Sequence, residues 1–567
     1  MSRKRCSPPP GSGRPPAGNW PHGRQPPTDL DPKAQRGDSF LFFCSRKDRI
    51  HMAATQLFAR GALLYPDRPC LQDGTGTRSY REVRDRVARI AGQLNAGDLP
   101  TSEKCAVYAP NDNLALECLL AIQWAGAVYV PLNPRNLIDD NVAVTGNCEV
   151  TTLFFHSSLA AEAAHLREQC PLITRMVCMD GPHPGAIDMQ AWLADGTRER
   201  PLPIAVQPDE VVAIYSTGGT TGKPKGVMLT SLNWDIAAAN FHASTKCDKP
   251  PVFLAVSPIT HAAGTFSLML MSEGSKTVVL PGFDATAILD AIERERVTHL
   301  YLPPTAIYML LDHPGVRERD YSSLEYFMYT SAPMSVAKLE ECLQVFGPVM
   351  IQFWGQTEAP SFCTVLSRED HLDLDDERRK RLESCGRPTL LTPVAAMDDQ
   401  GRLLPPGTKG ELVVRGPLVM AGYYRNPEAT AEASSHGWHH TGDIGYLDQE
   451  GYVFIVDRKK DMIITGGYNV YPREVEAVLL AHPAVKECAV VGVPDPKWGE
   501  AVKGVIELRE GASATDTELI DYCKASLGSI KAPKSIEAWP ELPRTSVGKL
   551  DKKQVRQQFW QDLPRVI

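Results

Sequence analysis

The chain has 567 residues and a formal net charge of −8, from 60 Lys plus Arg against 68 Asp plus Glu. That length exceeds one core and predicts a large domain with a smaller partner, and the acidic balance excludes a whole-surface basic field for holding nucleic acid. Hydrophobic residues are 43% and charged residues 23% of the chain, the range of a soluble globular protein. The 14 cysteines make no C-x-x-C pair and no Cys/His cluster with zinc spacing, which reads as reduced, mostly buried thiols of a cytoplasmic protein. No apolar run is long enough to span a bilayer. The longest, 118–132, carries Gln123 and Pro131 and reads as a buried helix followed by a strand.

Residues 1–51 are broken by Pro8-Pro9-Pro10, Pro15-Pro16 and Pro26-Pro27 and read as a disordered tail. The absence of acidic residues before Asp29 fits an organelle transit peptide, but the prolines oppose the amphipathic helix such a peptide needs. Translation from Met52, where globular patterning begins, is the other reading. From there helix-like stretches (80–94, 113–125) alternate with short apolar runs at 104–108, 150–155, 211–215, 276–280 and 299–302. The alternation predicts α/β layers with largely parallel strands. Around 410–415 the texture turns β-rich with frequent glycines. After Asp457 a small α+β unit is predicted: a helix at 474–481, strands at 485–493 and 503–508, and a helix opened by the capping pair Thr515 and Glu518. The expected fold is therefore α/β, with a large multilayer domain (52–457) carrying a β-rich subdomain and a small C-terminal domain (458–567).

The run from Tyr215 to Gly226, YSTGGTTGKPKG, follows an apolar strand. Its glycines let a backbone turn tightly and present N–H groups to phosphate oxygens. Thr217, Thr220 and Thr221 add hydroxyls, and Lys225 adds a cation. The spacing is not that of a P-loop NTPase, which excludes that class.

This run resembles the phosphate loop of the adenylate-forming superfamily, which includes acyl-CoA synthetases, peptide-synthetase adenylation domains and beetle luciferases. Further motifs extend the resemblance in order from about Leu57 to Leu550. It implies that Thr217, Gly218, Gly219, Thr220, Thr221, Gly222 and Lys225 hold the ATP phosphates. Ser331-Ala332-Pro333 resembles the adenine-contacting turn, with Trp354 and Gly355 beside it. Thr357 would contact the α-phosphate and Glu358 would hold Mg²⁺. Asp443, in the Thr441-Gly442-Asp443 motif, and Arg458 would contact the ribose. Lys460 stands at the family's hinge, which makes the small domain mobile. Gly466, Gly467 and Tyr468 resemble the loop bordering the coenzyme A tunnel, and Lys549 matches the catalytic lysine. Two positions depart from the common pattern: Trp354 replaces a tyrosine and loses its hydroxyl, and Gly218 replaces a serine.

The resemblance implies an AMP-forming ligase that converts ATP, an acid and coenzyme A to acyl-CoA, AMP and pyrophosphate through an acyl-adenylate. His261, Ala262, Ala263, Gly264, Tyr329, Gln352, Phe353 and Gln356 are the expected acid pocket, His261 being a catalytic candidate as well. Small alanines at 262 and 263, the apolar run 268–271 and the absence of Arg or Lys from these segments point to a medium- or long-chain fatty acid or a bulky aryl or alicyclic acid, and away from dicarboxylates such as malonate. Two other readings stand beside this one: a stand-alone enzyme loading a separate carrier protein, and a non-catalytic nucleotide-binding protein. Intact Lys225, Glu358, Asp443, Arg458 and Lys549 oppose the last.

Overall fold

The computed structural model describes residues 53–95, 102–217, 224–332, 334–372, 375, 379–544 and 550–560. The Pro-rich tail, Gly218–Gly222, Pro333 and Lys549 therefore lie outside the described residues. Two large sheets carry most of the chain. In the eight-stranded sheet, Lys104–Tyr108 lies between Val128–Leu132 and Thr152–Phe155, all parallel, with Val211–Ser216 beyond Val128–Leu132 and antiparallel to Gly226–Thr230. In the nine-stranded sheet, Lys276–Val279, Val252–Ala255, His299–Tyr301, Tyr326–Tyr329 and Met350–Gln356 run parallel in that spatial order.

The predicted buried segment is the helix Asn113–Trp124, capped by Asp112 accepting from the Ala115 N–H, followed by the strand Val128–Leu132. Every residue of both is buried except Leu114, which is partly exposed. A helix buried on nearly every side belongs inside a layered core; its one carboxylate, Glu117, is paired there with Arg78 and Arg86, and the helix contacts the amphipathic helix Tyr80–Asn95. A four-stranded antiparallel sheet of Val394–Met397, Gly410–Val414, His439–Leu447 and Val453–Arg458 forms the β-rich subdomain.

A small domain follows with its own five-stranded sheet, led by the long hairpin Val485–Asp495 with Gly499–Leu508, and its own core around Val475, Leu479, Val490, Val502 and Leu519. The helix expected at 474–481 is Pro472–Ala481, its proline in the first turn where no N–H is needed. Thr515 caps the helix Asp516–Lys531 through the Glu518 N–H, the main-chain half of the expected capping pair. Among the described residues all twelve cysteines are free, and no helix is long and apolar enough to cross a membrane.

Candidate active site

Parallel strands deliver the motif residues at their carboxyl ends, the edge where α/β sheets take ligands. Val211–Ser216 leads into Thr217, Val252–Ala255 into the His261 segment, Tyr326–Tyr329 into Ser331, and Met350–Gln356 into Thr357 and Glu358. The two sheets are tied together at this edge by a residue the motifs do not include. Asn111, just past Lys104–Tyr108, donates to the carbonyls of Val256, Ser257 and Leu280 at 3.0, 3.0 and 3.1 Å and accepts from the Ile259 N–H at 2.9 Å. The Tyr129 hydroxyl donates to the Thr260 carbonyl at 3.2 Å, and the rings of Tyr215 and His261 meet edge-on at 6.1 Å.

The neck of the phosphate loop is closed by its own ends. The Thr217 N–H donates to the Lys225 carbonyl at 3.0 Å, and the Lys225 N–H reaches Thr217 Oγ1 at 3.4 Å. Lys225 Nζ sits 4.8 Å from the ring centre of Tyr423, whose hydroxyl donates to Glu358 Oε1 at 2.7 Å. Glu358 is partly exposed, and Tyr423 is the hydrogen-bond partner its carboxylate has among the described residues. One free carboxylate oxygen suits Mg²⁺, which takes few protein ligands and fills its octahedron with water and phosphate oxygens. No group of three or more His, Cys, Asp or Glu able to hold a metal occurs among the described residues.

Ser331 has φ of 76°, a left-handed backbone that a serine adopts only when its surroundings impose it. The Tyr301 hydroxyl lies 3.4 Å from its Oγ. Gly355 is required by a close approach: a Cβ there would stand 2.7 Å from the Ala359 carbonyl oxygen and the Ser361 nitrogen. Trp354 Nε1 donates to Asp443 Oδ2 at 3.3 Å, and Arg458 Nε pairs with Asp443 Oδ1 at 2.8 Å. The Asp443 side chain is only 4% exposed against 44% for Arg458. Burial raises the Asp443 carboxyl above the usual aspartate range, with the Arg458 charge opposing that shift.

His261 caps the helix Ala262–Met271 without a side-chain cap bond, its Nδ1 lying 2.9 Å from Thr260 Oγ1. Burial pushes its pKa down to about 4, so the ring is neutral. His261 and Ala262 keep some exposure, while Ala263 and Gly264 face inward; a Cβ on Gly264 would stand 2.0 Å from the Ile259 carbonyl oxygen. Residues 268–271 are wholly core. Phe353 packs in a buried aromatic group with Phe241, Phe266 and Phe362. Gln352 is buried on the same strand. Gln356 has its amide engaged, donating to the Thr441 carbonyl at 3.1 Å with His439 Nε2 3.2 Å from its oxygen.

Tyr329 does not join the expected pocket. It lies in the separate core of Leu302, Ile307 and Cys342, its hydroxyl 3.1 Å from His371 Nε2. Strand alternation is the reason: Tyr326 and Met328 face one core, Phe327 and Tyr329 the other.

In the small domain, Gly466 and Gly467 make the turn between Ile463–Thr465 and Tyr468–Val470 with φ of 56° and 82°, and Tyr468 is exposed. Lys460 lies in the single turn Lys459–Asp461 directly after the last strand of the β-rich subdomain, and burial lowers its pKa. Arg544 and Leu550, on either side of the residues around Lys549, form an antiparallel bridge.

These features together define a nucleotide-dependent ligase of the adenylate-forming class. The AMP-binding enzyme family model matches residues 58–424, and the AMP-binding enzyme C-terminal domain matches residues 474–549. The chain is 36% identical over 517 residues to a medium/long-chain-fatty-acid–CoA ligase, FadD8, of Mycobacterium tuberculosis, covering 89% of each chain. It is 35% identical over 505 residues to a feruloyl-CoA synthase of Amycolatopsis sp., covering 88% of this chain and 98% of that one. The amide bond synthetase McbA of Marinactinospora thermotolerans superposes with a TM-score of 0.81 at 32% identity, over 89% of this chain and all of that one. The chain belongs to the AMP-binding enzyme family, and it is an AMP-forming enzyme of the acid–thiol ligase class.

Proposed function

We propose that this protein joins an apolar carboxylic acid, a medium- or long-chain fatty acid or a bulky aryl or alicyclic acid, to coenzyme A at the expense of ATP. The reading is carried by two short runs of side-chain contacts. One goes from Lys225 through Tyr423 to Glu358, which suits phosphate and metal, and the other from Trp354 through Asp443 to Arg458, which suits the ribose. Thr217 and the loop after it, Lys225 and Thr357 take the phosphates, Ser331 and Trp354 the adenine, and Asp443 and Arg458 the ribose. Mg²⁺, held by Glu358, would neutralise phosphate charge and favour departure of pyrophosphate.

In the first step an oxygen of the acid bonds to the α-phosphorus and the bond to pyrophosphate breaks. Lys549 stabilises charge between the acid oxygen and the α-phosphate. In the second step the coenzyme A sulfur bonds to the acyl carbon, the carbon–oxygen bond to AMP breaks, and the thiol proton goes to solvent. Lys460 serves as the hinge at the boundary between 52–457 and 458–567, by which the small domain exchanges Lys549 for the Gly466-Gly467 turn and Tyr468.

Support for an apolar acid comes from the aromatic group that Phe266 of the helix Ala262–Met271 and Phe353 of the strand Met350–Gln356 share, and from the absence of Arg or Lys in segments 258–271, 329–332 and 352–356. ATP–pyrophosphate exchange across a panel of acids tests this. Exchange with palmitate, octanoate or ferulate supports it; malonate or acetate as the best substrate overturns it. The likeness to an amide bond synthetase makes an amine the acceptor to run beside coenzyme A.

A further inference from the structure

Tyr423 stands between two opposite charges that the nucleotide site needs separately. Its ring face lies under the Lys225 ammonium, 4.8 Å from the ring centre, and its hydroxyl donates to Glu358 Oε1 at 2.7 Å. No ion pair joins Lys225 to Glu358 among the described residues, although both touch the same side chain. Tyr423 is itself held firmly. It is buried, its strand Gly422–Tyr423 pairs antiparallel with Val227 and Met228 next to the loop's exit, and its N–H donates to Thr430 Oγ1 at 2.9 Å. The same segment also grips Glu358 by its backbone, the Met420 N–H donating to the Glu358 carbonyl at 2.8 Å. At its other end, Asn233 Nδ2 donates to the carbonyls of Pro417 and Val419 at 2.8 and 2.9 Å. Asn233 is the capping-box residue of the helix Ser231–Ser244 that follows the phosphate loop and its strand.

We propose that Tyr423 is a positioning residue: it fixes the Glu358 carboxylate for Mg²⁺ and, as a spacer, prevents Glu358 from pairing with Lys225 before the nucleotide arrives. The proposal rests on the nucleotide-site roles given above to Lys225 and Glu358. A free carboxylate and ammonium on flexible stems at one wet cleft attract each other. If they paired, each would be withdrawn from its ligand. The aromatic ring prevents this by presenting its face to the cation and its hydroxyl to the anion, satisfying both without joining them.

The test is calorimetric binding of α,β-methylene-ATP, which cannot form the adenylate, to the full chain with EDTA and over a Mg²⁺ titration. Tyr423→Phe keeps the ring and loses the donor. It is expected to leave metal-free affinity within about twofold of wild type and to raise the Mg²⁺ concentration for half-maximal effect by roughly tenfold, the loss of one charge-assisted hydrogen bond. Tyr423→Leu removes the spacer as well. Its metal-free affinity is expected to fall by about tenfold, and adding Glu358→Gln in that background is expected to restore it to within about twofold by freeing Lys225. A merely structural loss would not be rescued by removing a charge. Wild-type Mg²⁺ dependence in Tyr423→Phe, or no rescue of folded Tyr423→Leu by Glu358→Gln, overturns the proposal. Wild-type protein that binds the analogue without any effect of Mg²⁺ overturns the metal reading of Glu358, and the proposal with it.

Discussion

Replacing Asp443 by Asn separates binding from folding in a way the structure makes quantitative. The carboxylate is almost fully buried, receives Arg458 Nε at 2.8 Å and Trp354 Nε1 at 3.3 Å, and is the residue assigned to the ribose hydroxyls. Hydrogen bonds to a charged acceptor are worth about 1.5–3 kcal/mol each, so weakening two of them should cost about 2–4 kcal/mol, roughly 30- to 1,000-fold in Kd for AMP. Folding should respond differently. The Asp443 pKa is raised by burial, so its ionised form is disfavoured in the native state relative to the unfolded chain. A neutral amide removes that burden, and Arg458, nearly half exposed, turns to water. Unfolding free energy at pH 7 should therefore change by less than about 1 kcal/mol. Calorimetric AMP titration and urea denaturation of the same preparation measure both. AMP affinity within threefold of wild type would refute the ribose assignment.

Three further outcomes are expected. Lys549→Ala should lose adenylation by about 10² to 10³ or more while keeping thioester formation from supplied acyl-adenylate, and equal loss of both steps would contradict its assigned role. Asn111→Ala leaves three carbonyls and one N–H without a partner at the junction of the two sheets, and should destabilise by about 2–4 kcal/mol in urea denaturation; a loss under about 1 kcal/mol would contradict this. His261, His299 and His371 are held neutral by burial, with pKa values lowered to about 4, 3 and 4. The unfolded chain protonates them first, so stability should fall as pH drops below about 6.5, by up to about 1.4 kcal/mol per histidine per pH unit, and stay flat above it. Stability unchanged between pH 7 and pH 5 would contradict that burial.

Strands were legible where apolar runs end sharply. The run read at 104–108 is the strand Lys104–Tyr108, and those read at 211–215 and 276–280 differ from their strands by one residue. The helix at 474–481 begins two residues earlier because a first-turn proline hides a helix start. Site residues carried by short dense motifs could be named from sequence, whereas Tyr329 shows the limit: adjacent residues of one strand face opposite cores, so a contiguous quotation mixes pocket with core. Asn111 and Tyr423 were not found at all. Each acts through partners more than a hundred residues away or through strand pairing, Asn111 with Val256 and Tyr423 beside Val227, and a neutral side chain carries no charge signature to mark it. The nearest signal was Gly422 ahead of two tyrosines, which reads from sequence as an ordinary strand end.

The most direct test of the account is to incubate the protein with ATP, Mg²⁺, coenzyme A and a panel of carboxylic acids and follow the products by mass spectrometry. The account predicts AMP, pyrophosphate and acyl-CoA in equal amounts, with apolar fatty or aryl acids and not with malonate, and acyl-adenylate alone when coenzyme A is withheld. ADP in place of AMP, or AMP without any acyl-CoA across the panel, would contradict it.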